Sequence, residues 1–402
     1  MGDEERLLKR EISFILQFNE HDSEFCTRYL TYRNANIFRQ TLITSIPFRI
    51  DIGAEFNLHL KNREAKIALT PKRREYIIDI DMNDYDGIRT CCVGKKLCNS
   101  CWKFMEAAYK VLREVLYEVF GFQKILWVFS GRRGMHAWIC DHEAMDLESM
   151  ERKSITNFLN VTVNNDKSDR LVTPESLAKY RSVRLFQMCE KILLPYESFL
   201  FEEQNFLGHE KRGQGNFERI QSVLKRHCKE SGADYFDEDY LRVKHQIINN
   251  QSVDPKNVSP RMFQYMINKY HQILVNKQEN DKNFTENVEE LVRKFKFEII
   301  VGFLYPKIDS AVSSHTNHLL KAPFNIHSSS LLLSVPVDPE NFDIKQIPSL
   351  QDIIDGKASI LQYNNNIRMF VNRLQETSQK NKLEKTNLSE QLIKPNSQKV
   401  NA

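Results

Sequence analysis

Four cysteines, Cys91, Cys92, Cys98 and Cys101, fall within eleven residues, and no other stretch restricts the fold as tightly. Four soft thiolates in one loop suit a tetrahedral Zn²⁺, and the Cys-x2-Cys half has a common zinc-knuckle spacing. The adjacent pair Cys91-Cys92 is an unusual half-site. With four protein ligands such a site is closed, hence structural rather than catalytic. Free thiols side by side would oxidise readily, which disfavours the bland alternative. The other four cysteines, Cys26, Cys140, Cys189 and Cys228, are scattered and read as small buried residues.

The residues around this loop alternate between strand and helix patterns. Tyr76 to Asp81 (YIIDID) is a short β-branched strand, followed by turn chemistry at Asn83 to Gly87. Beyond the cysteines, Trp102 to Phe120 repeats apolar residues at helical spacing, and Gly121 stands where a helix C′ residue belongs. Ile125 to Phe129 reads as a buried strand, SGRRG as a turn, and Met135 to Cys140 as the return strand of a hairpin. From about Glu190 to Val292 the chain is polar and helical. Strand-like runs resume at Phe297 to Leu304 and Leu331 to Val337, so a distant segment should complete the sheet. The fold class expected is α/β (α+β), a mixed-sheet core with flanking helices. Its parts would be a first core portion at 1–189, a helical insertion at 190–295, a second core portion at 296–345, a C-terminal helical segment at 346–375 and a disordered tail at 376–402.

Asp79 and Asp81 leave one face of their strand while Ile78 and Ile80 leave the other. Two like charges so placed repel unless a cation lies between them, which points to Mg²⁺ or Mn²⁺. A pair of such ions clamps the attacking and leaving oxygens in phosphoryl transfer. In Ser130-Gly131-Arg132-Arg133-Gly134-Met135-His136, two glycines let backbone amides approach a polyanion and two arginines offer forked donors. A solvated surface hairpin explains the same turn equally well. Downstream, Asp309, His318-Leu319-Leu320-Lys321 and His327 bring an acid, a lysine and imidazoles beside a second core segment.

Net charge is only +4, from 57 Lys+Arg against 53 Asp+Glu, so any polyanion site must come from local clusters such as Arg132-Arg133. A hydrophobic share of 41% supports a packed core and excludes global disorder. The longest apolar run, Phe295 to Tyr305, is broken by Lys296 and Glu298, so no membrane span is expected. The N-terminal MGDEERLLKR lacks the apolar region of a secretory signal.

Taken together, YIIDIDMNDYD, the Cys-Cys-x5-Cys-x2-Cys-Trp loop, LWVFSGRRGMHAW, YPKID, NHLLKAPFNIH and SVPVD resemble the catalytic small subunits of eukaryotic DNA primases, in the archaeo-eukaryotic primase superfamily. Similarity is strongest over 73–141 and 305–338. The resemblance implies de novo synthesis of short RNA primers on single-stranded DNA from ribonucleoside triphosphates. Asp79, Asp81 and Asp309 would hold the Mg²⁺ or Mn²⁺ ions. Ser130, Gly131, Arg132, Arg133, Gly134, Met135 and His136 would hold the triphosphate with Lys321 and His327. His318, Leu319 and Leu320 would line the sugar and base side, and the cysteines would form the family's zinc knuckle. Arg10-Glu11-x-Ser13-Phe14 resembles a family segment whose glutamate serves the active site, so Glu11 joins the catalytic set and Arg28 could face the same cleft. Family members usually carry aromatic-rich helices ahead of this segment, whereas nine residues precede it here. The resemblance further implies a nuclear protein that works with a primase large subunit and the DNA polymerase alpha complex.

Three other readings share parts of this pattern. A repair-type primase-polymerase would carry the acidic and basic motifs without this cysteine loop. A two-metal nuclease gives no reason for a triphosphate turn. A non-catalytic, zinc-dependent nucleic-acid-binding module would leave the three aspartates dispensable.

Overall fold

The computed structural model describes residues 4–17, 23–62, 68–160, 183–235, 237–251, 254, 257–363, 367–368, 370–372 and 374. The tail expected to be disordered, 376–402, lies outside them. Two sheets form the frame. The first has the order β2-β1-β3-β4, from Phe25–Leu30, Arg10–Leu16, Arg49–Phe56 and Pro71–Arg73, with β8 (Leu320–Lys321) added to β3. The second has the order β5-β7-β6-β9, from Tyr76–Asp81, Gly134–Ile139, Ile125–Phe129 and Val335–Pro336. All of their pairings are antiparallel.

Period-2 alternation decides what each face of β5 meets. Tyr76, Ile78 and Ile80 are fully buried in the main core with the helix Asn99–Glu118. That helix presents Ala107 and Ala108 among its buried residues, side chains small enough for close approach to the sheet. Its end matches the expectation: Gly121 takes φ +71°, and Phe122 N–H returns to the Leu116 carbonyl at 2.9 Å. On the opposite face, Ile77 joins Val128, Trp138, Val312 and Leu320, with Ile52 of β3 packed against them. The two sheets therefore meet there, and Asp79 and Asp81 share that inter-sheet face. Arg152 locks the edge of this arrangement: it is fully buried and donates to the carbonyls of Arg74, Glu75, Ala144, Met145 and Leu147.

The polar middle of the chain is helical as expected, with helices at Val183–Leu193, Gly213–Glu230, Tyr240–Gln251 and Val258–Asn280. Their apolar residues belong to the same core cluster as β5. One expectation fails here. Phe297 to Leu304 is not a strand but the second half of the helix Val288–Leu304. Every residue from Phe297 to Leu304 is buried, so no polar face breaks the run into a helical period. Glu298 sits within it because His227 Nε2 meets its Oε2 at 2.6 Å and Arg226 donates to its other oxygen. Leu331 to Val337 also contributes less strand than expected, only Val335–Pro336 beside β6 and isolated bridges at Leu332 and Leu333. Pro336 has no N–H for a longer ladder. Cys26, expected to be buried, is exposed on β2, while Cys189 and Cys228 are buried.

Candidate active site

The β5–β7 register puts Asp79 directly opposite His136, and Asp81 opposite Gly134. His136 Nε2 lies 3.4 Å from Asp79 Oδ1. Asp309 arrives from the far end of the chain, and its N–H donates to the Asp79 carbonyl at 3.0 Å, fixing it beside β5. Its own carboxylate caps the short helix Ser310–Ser314 by accepting from Ala311 N–H. Asp81 likewise accepts from Asn83 N–H at 2.8 Å and stands 3.3 Å from Arg133 Nε. Burial first, then the charges of Asp309, Asp81 and Asp84, push the Asp79 carboxyl up to about 7. An acid so destabilised as an anion is suited to a divalent cation.

The basic side of the site is built on the β6–β7 hairpin. Ser130 N–H donates to the Gly134 carbonyl, and Ser130 Oγ accepts from Gly134 N–H at 2.9 Å. Gly131 adopts φ +89°, and a Cβ there would stand 3.0 Å from His327 Cβ and 3.1 Å from the Leu332 carbonyl oxygen. Only glycine serves both demands. Arg132 Nε and His136 Nδ1 are buried without a hydrogen-bond partner among the described residues, and Arg133 Nε faces only the Asp81 carboxylate at 3.3 Å. Buried polar atoms seldom stay unpaired, so the first two together imply an external partner.

Lys321 and His327 come to this turn from the second block. Asn325 holds their segment to β3 by accepting from Ile50 N–H and donating to the carbonyls of Ile50 and Ala322. Burial, then the neighbouring Arg49, lowers Lys321 to about 8, with Arg132 adding to the fall. Burial, then Lys321, lowers His327 to about 4, and the same causes lower His136 to about 4. Burial and neighbouring cations that disfavour positive charge in this way form a site that gains from a polyanion.

The remaining sequence-predicted residues fall in several places. Met135 and Leu320 turn their side chains into the two apolar cores, so only their main chains are available to a ligand. His318 is exposed and Leu319 half-buried at the cleft margin. Glu11 is fully buried on β1; Arg28 donates to it at 2.9 and 3.2 Å, and the lack of a side chain at Gly53 leaves it room. It makes none of the described contacts with the three aspartates.

Sequence reasoning missed Asp51 and Arg74. Asp51 faces Lys321 across β3–β8, accepts from Arg49 and keeps one buried oxygen without a hydrogen-bond partner among the described residues. Its setting, Arg-Ile-Asp-Ile-Gly, is the same acid-within-apolar-strand signal as YIIDID and could have been read. Buried Arg74 donates to the His315 carbonyl at 3.1 Å, and its other terminal nitrogen has no hydrogen-bond partner among the described residues.

Beside the hairpin, the ligand atoms of Cys91, Cys92, Cys98 and Cys101 all lie within 4.8 Å of one another. Among the described residues this is the one set with three or more such atoms in reach of a single ion. A hydrogen bond with Cys101 and then burial push the Cys91 thiol up, and burial with Cys98 pushes Cys92 up to about 11. A bound cation reverses that preference and favours thiolates. Thr90, next to the cluster, is held by Gln204 of the helical region through its N–H and hydroxyl.

The family model described as DNA primase small subunit matches residues 78–339. The DNA primase small subunit of Drosophila melanogaster is 31% identical over 359 residues, covering 86% of this chain and 73% of the fly protein. That of Saccharomyces cerevisiae is 30% identical, covering 87% of this chain and 79% of the yeast protein. The archaeal primase small subunit PriS of Pyrobaculum calidifontis is 31% identical over a shorter stretch, 21% of this chain and 27% of that protein.

Proposed function

Because this chain belongs to the DNA primase small subunit family, we propose that it joins ribonucleotides in the cleft between its two sheets, at Asp79, Asp81 and Asp309. The protein is a nucleotidyltransferase, a DNA primase that synthesises RNA primers for replication. The observation that carries the site assignment is the Asp79–His136 register. It sets an acidic cluster and a basic turn on adjacent strands, where the α-phosphate and the β,γ-phosphates of one nucleotide can lie.

Mg²⁺ or Mn²⁺, when bound, would neutralise charge on the reacting oxygens. The residues would divide the remaining work. Asp79 would surrender its proton on taking a cation, and Asp81 and Asp309 would contribute further oxygens from their capping positions. His136, held neutral by burial, would donate one hydrogen bond without adding charge. Arg132, Arg133, Lys321 and His327, with Ser130 and the amides of the glycine turn, would hold the triphosphate. Its binding would draw Lys321 fully into the charged form. His318, Leu319 and the Leu320 main chain would lie toward sugar and base. Glu11 would act through its Arg28 pair at the cleft wall. Cys91, Cys92, Cys98 and Cys101 fit a closed structural Zn²⁺ site in number, softness and spacing.

We read 1–189 and 296–345 as one catalytic core interrupted by the helical insertion 190–295, although the helix Val288–Leu304 runs unbroken across the second boundary. The template is single-stranded DNA. The expected partners are a primase large subunit and the DNA polymerase alpha complex, and the expected compartment is the nucleus. No helix among the described residues is long and apolar enough to cross a membrane.

De novo synthesis on single-stranded pyrimidine DNA with labelled ribonucleotides tests the assignment. Short RNA that disappears in Asp79→Ala, Asp81→Ala supports it. Undiminished product from that variant would place the catalytic carboxylates elsewhere.

A further inference from the structure

Arg133 makes a contact that triphosphate binding does not require. Its NH1 donates at 2.7 Å to the carbonyl of Gly94, a residue of the cysteine loop. The same carbonyl accepts a second guanidinium from the other direction, at 2.6 Å from Arg89 NH2. Arg89 is fully buried, and all of its described bonds stay within this region. Nε goes to Asp86 Oδ1 at 2.6 Å, and NH1 to the Lys96 carbonyl at 2.8 Å, with NH1 also 3.9 Å from Cys101 Sγ. Gly94 needs its identity for conformation alone, since φ is +60° and a Cβ there would meet nothing within 4 Å.

A buried cation is retained only where its donors are satisfied. Arg89 meets that demand by gathering two carbonyls and a carboxylate that the short loop would otherwise turn to water. The loop's carbonyl at Gly94 thereby gains a fixed position, and Arg133 is set against it. Arg133 then needs no ordering of its own when an anion arrives, which is how preorganisation raises affinity.

We propose that Arg89 is a positioning residue for nucleotide binding: through the Gly94 carbonyl it makes the cysteine loop a fixed wall that aims Arg133 into the cleft. The inference rests on the assignment of Arg133 to the triphosphate. It gives the knuckle a task in the reaction beside stabilising the fold.

The test is a double-mutant cycle on the full chain. Affinity is measured for a non-hydrolysable α,β-methylene ribonucleoside triphosphate with Mg²⁺, with zinc content and thermal unfolding recorded for each variant. Arg89→Met should weaken the analogue roughly tenfold, the scale of one hydrogen bond to a charged group. It should raise the nucleotide KM more than it lowers kcat. In an Arg133→Ala background, Arg89→Met should weaken binding little further, because both act through one contact. Unchanged affinity in Arg89→Met, or additive losses in the double variant, would overturn the proposal. If Arg133→Ala alone leaves the analogue's affinity intact, the assignment of Arg133 fails instead. Should Arg89→Met not fold, Gly94→Ala enters the same cycle, since it disturbs only the loop's backbone conformation.

Discussion

The knuckle and the cleft are neighbours built on opposite plans. The knuckle draws its four candidate ligands from one short stretch, a loop and the first turn of the helix Asn99–Glu118, all of them soft and mutually within 4.8 Å. The cleft draws hard oxygens from β5 and from Asp309, and cationic groups from a hairpin and a distant strap, with Asp81 and Asp309 engaged as caps and Asp79 buried among acidic neighbours. A closed cluster resists change of coordination and suits a permanent ion. An open one, poised by repulsion, suits ions and substrates that come and go.

The largest expected effect separates the two plans. Asp79→Asn should reduce primer synthesis by at least about a thousandfold if the proposed carboxylates hold the reacting centre together. Zinc content and fold should be untouched, as measured by elemental analysis and circular dichroism. Cys101→Ser should do the reverse in character. Zinc should fall below one per chain and the melting temperature should drop, because a structural site contributes its binding energy to folding. An Asp79→Asn chain that loses its zinc would break the comparison.

Proton dependence sharpens it further. Asp79, held at about 7, keeps its proton more tightly folded than unfolded. The metal-free fold therefore loses stability as pH rises from about 4 to about 7, and Asp79→Asn should remove that slope. Proton and divalent cation compete for the same oxygens. Mn²⁺ affinity, read by titration, should thus fall by up to about tenfold per unit as pH drops below about 7. Lys321, lowered to about 8, gives the opposite limb: its charge is lost as pH rises through that value, so nucleotide binding should weaken there. Lys321→Met should flatten this limb and weaken triphosphate binding by roughly tenfold at pH 7. The last effect falls on stability: Asn325→Ala unties the strap from β3 and should cost about 1–3 kcal/mol through its unpaired partners, read by thermal or denaturant unfolding.

What was legible in the sequence followed the range of the interactions. Strand β5, the hairpin and the helix after the cysteines were read correctly because their patterns depend on neighbours a few residues away. The gathering of Cys91, Cys92, Cys98 and Cys101 was legible for the same reason. Phe297 to Leu304 was misread because burial on all sides erases the helical period, and the partner that justifies Glu298 lies on another helix. Asp51 carried a readable signal but lacked the second acid that made Asp79 and Asp81 conspicuous. Arg74 and Arg89 gave none, since an arginine beside charged residues, basic ones for Arg74 and acidic ones for Arg89, looks like surface charge until its carbonyl partners are known.

The hydrogen bond from Asp309 N–H to the Asp79 carbonyl also has a meaning in time. Its neighbour Lys307 reaches the Asp84 carbonyl across 223 residues of chain, all of the helical segment included. At ordinary rates of translation that stretch takes on the order of ten seconds or more to emerge. Until it does, a ribosome-bound chain carries two acids without the third, and a hairpin without its lysine strap. On the proposed assignment, strand initiation therefore waits until the segment carrying Asp309, Lys321 and His327 has emerged to join Asp79 and Asp81.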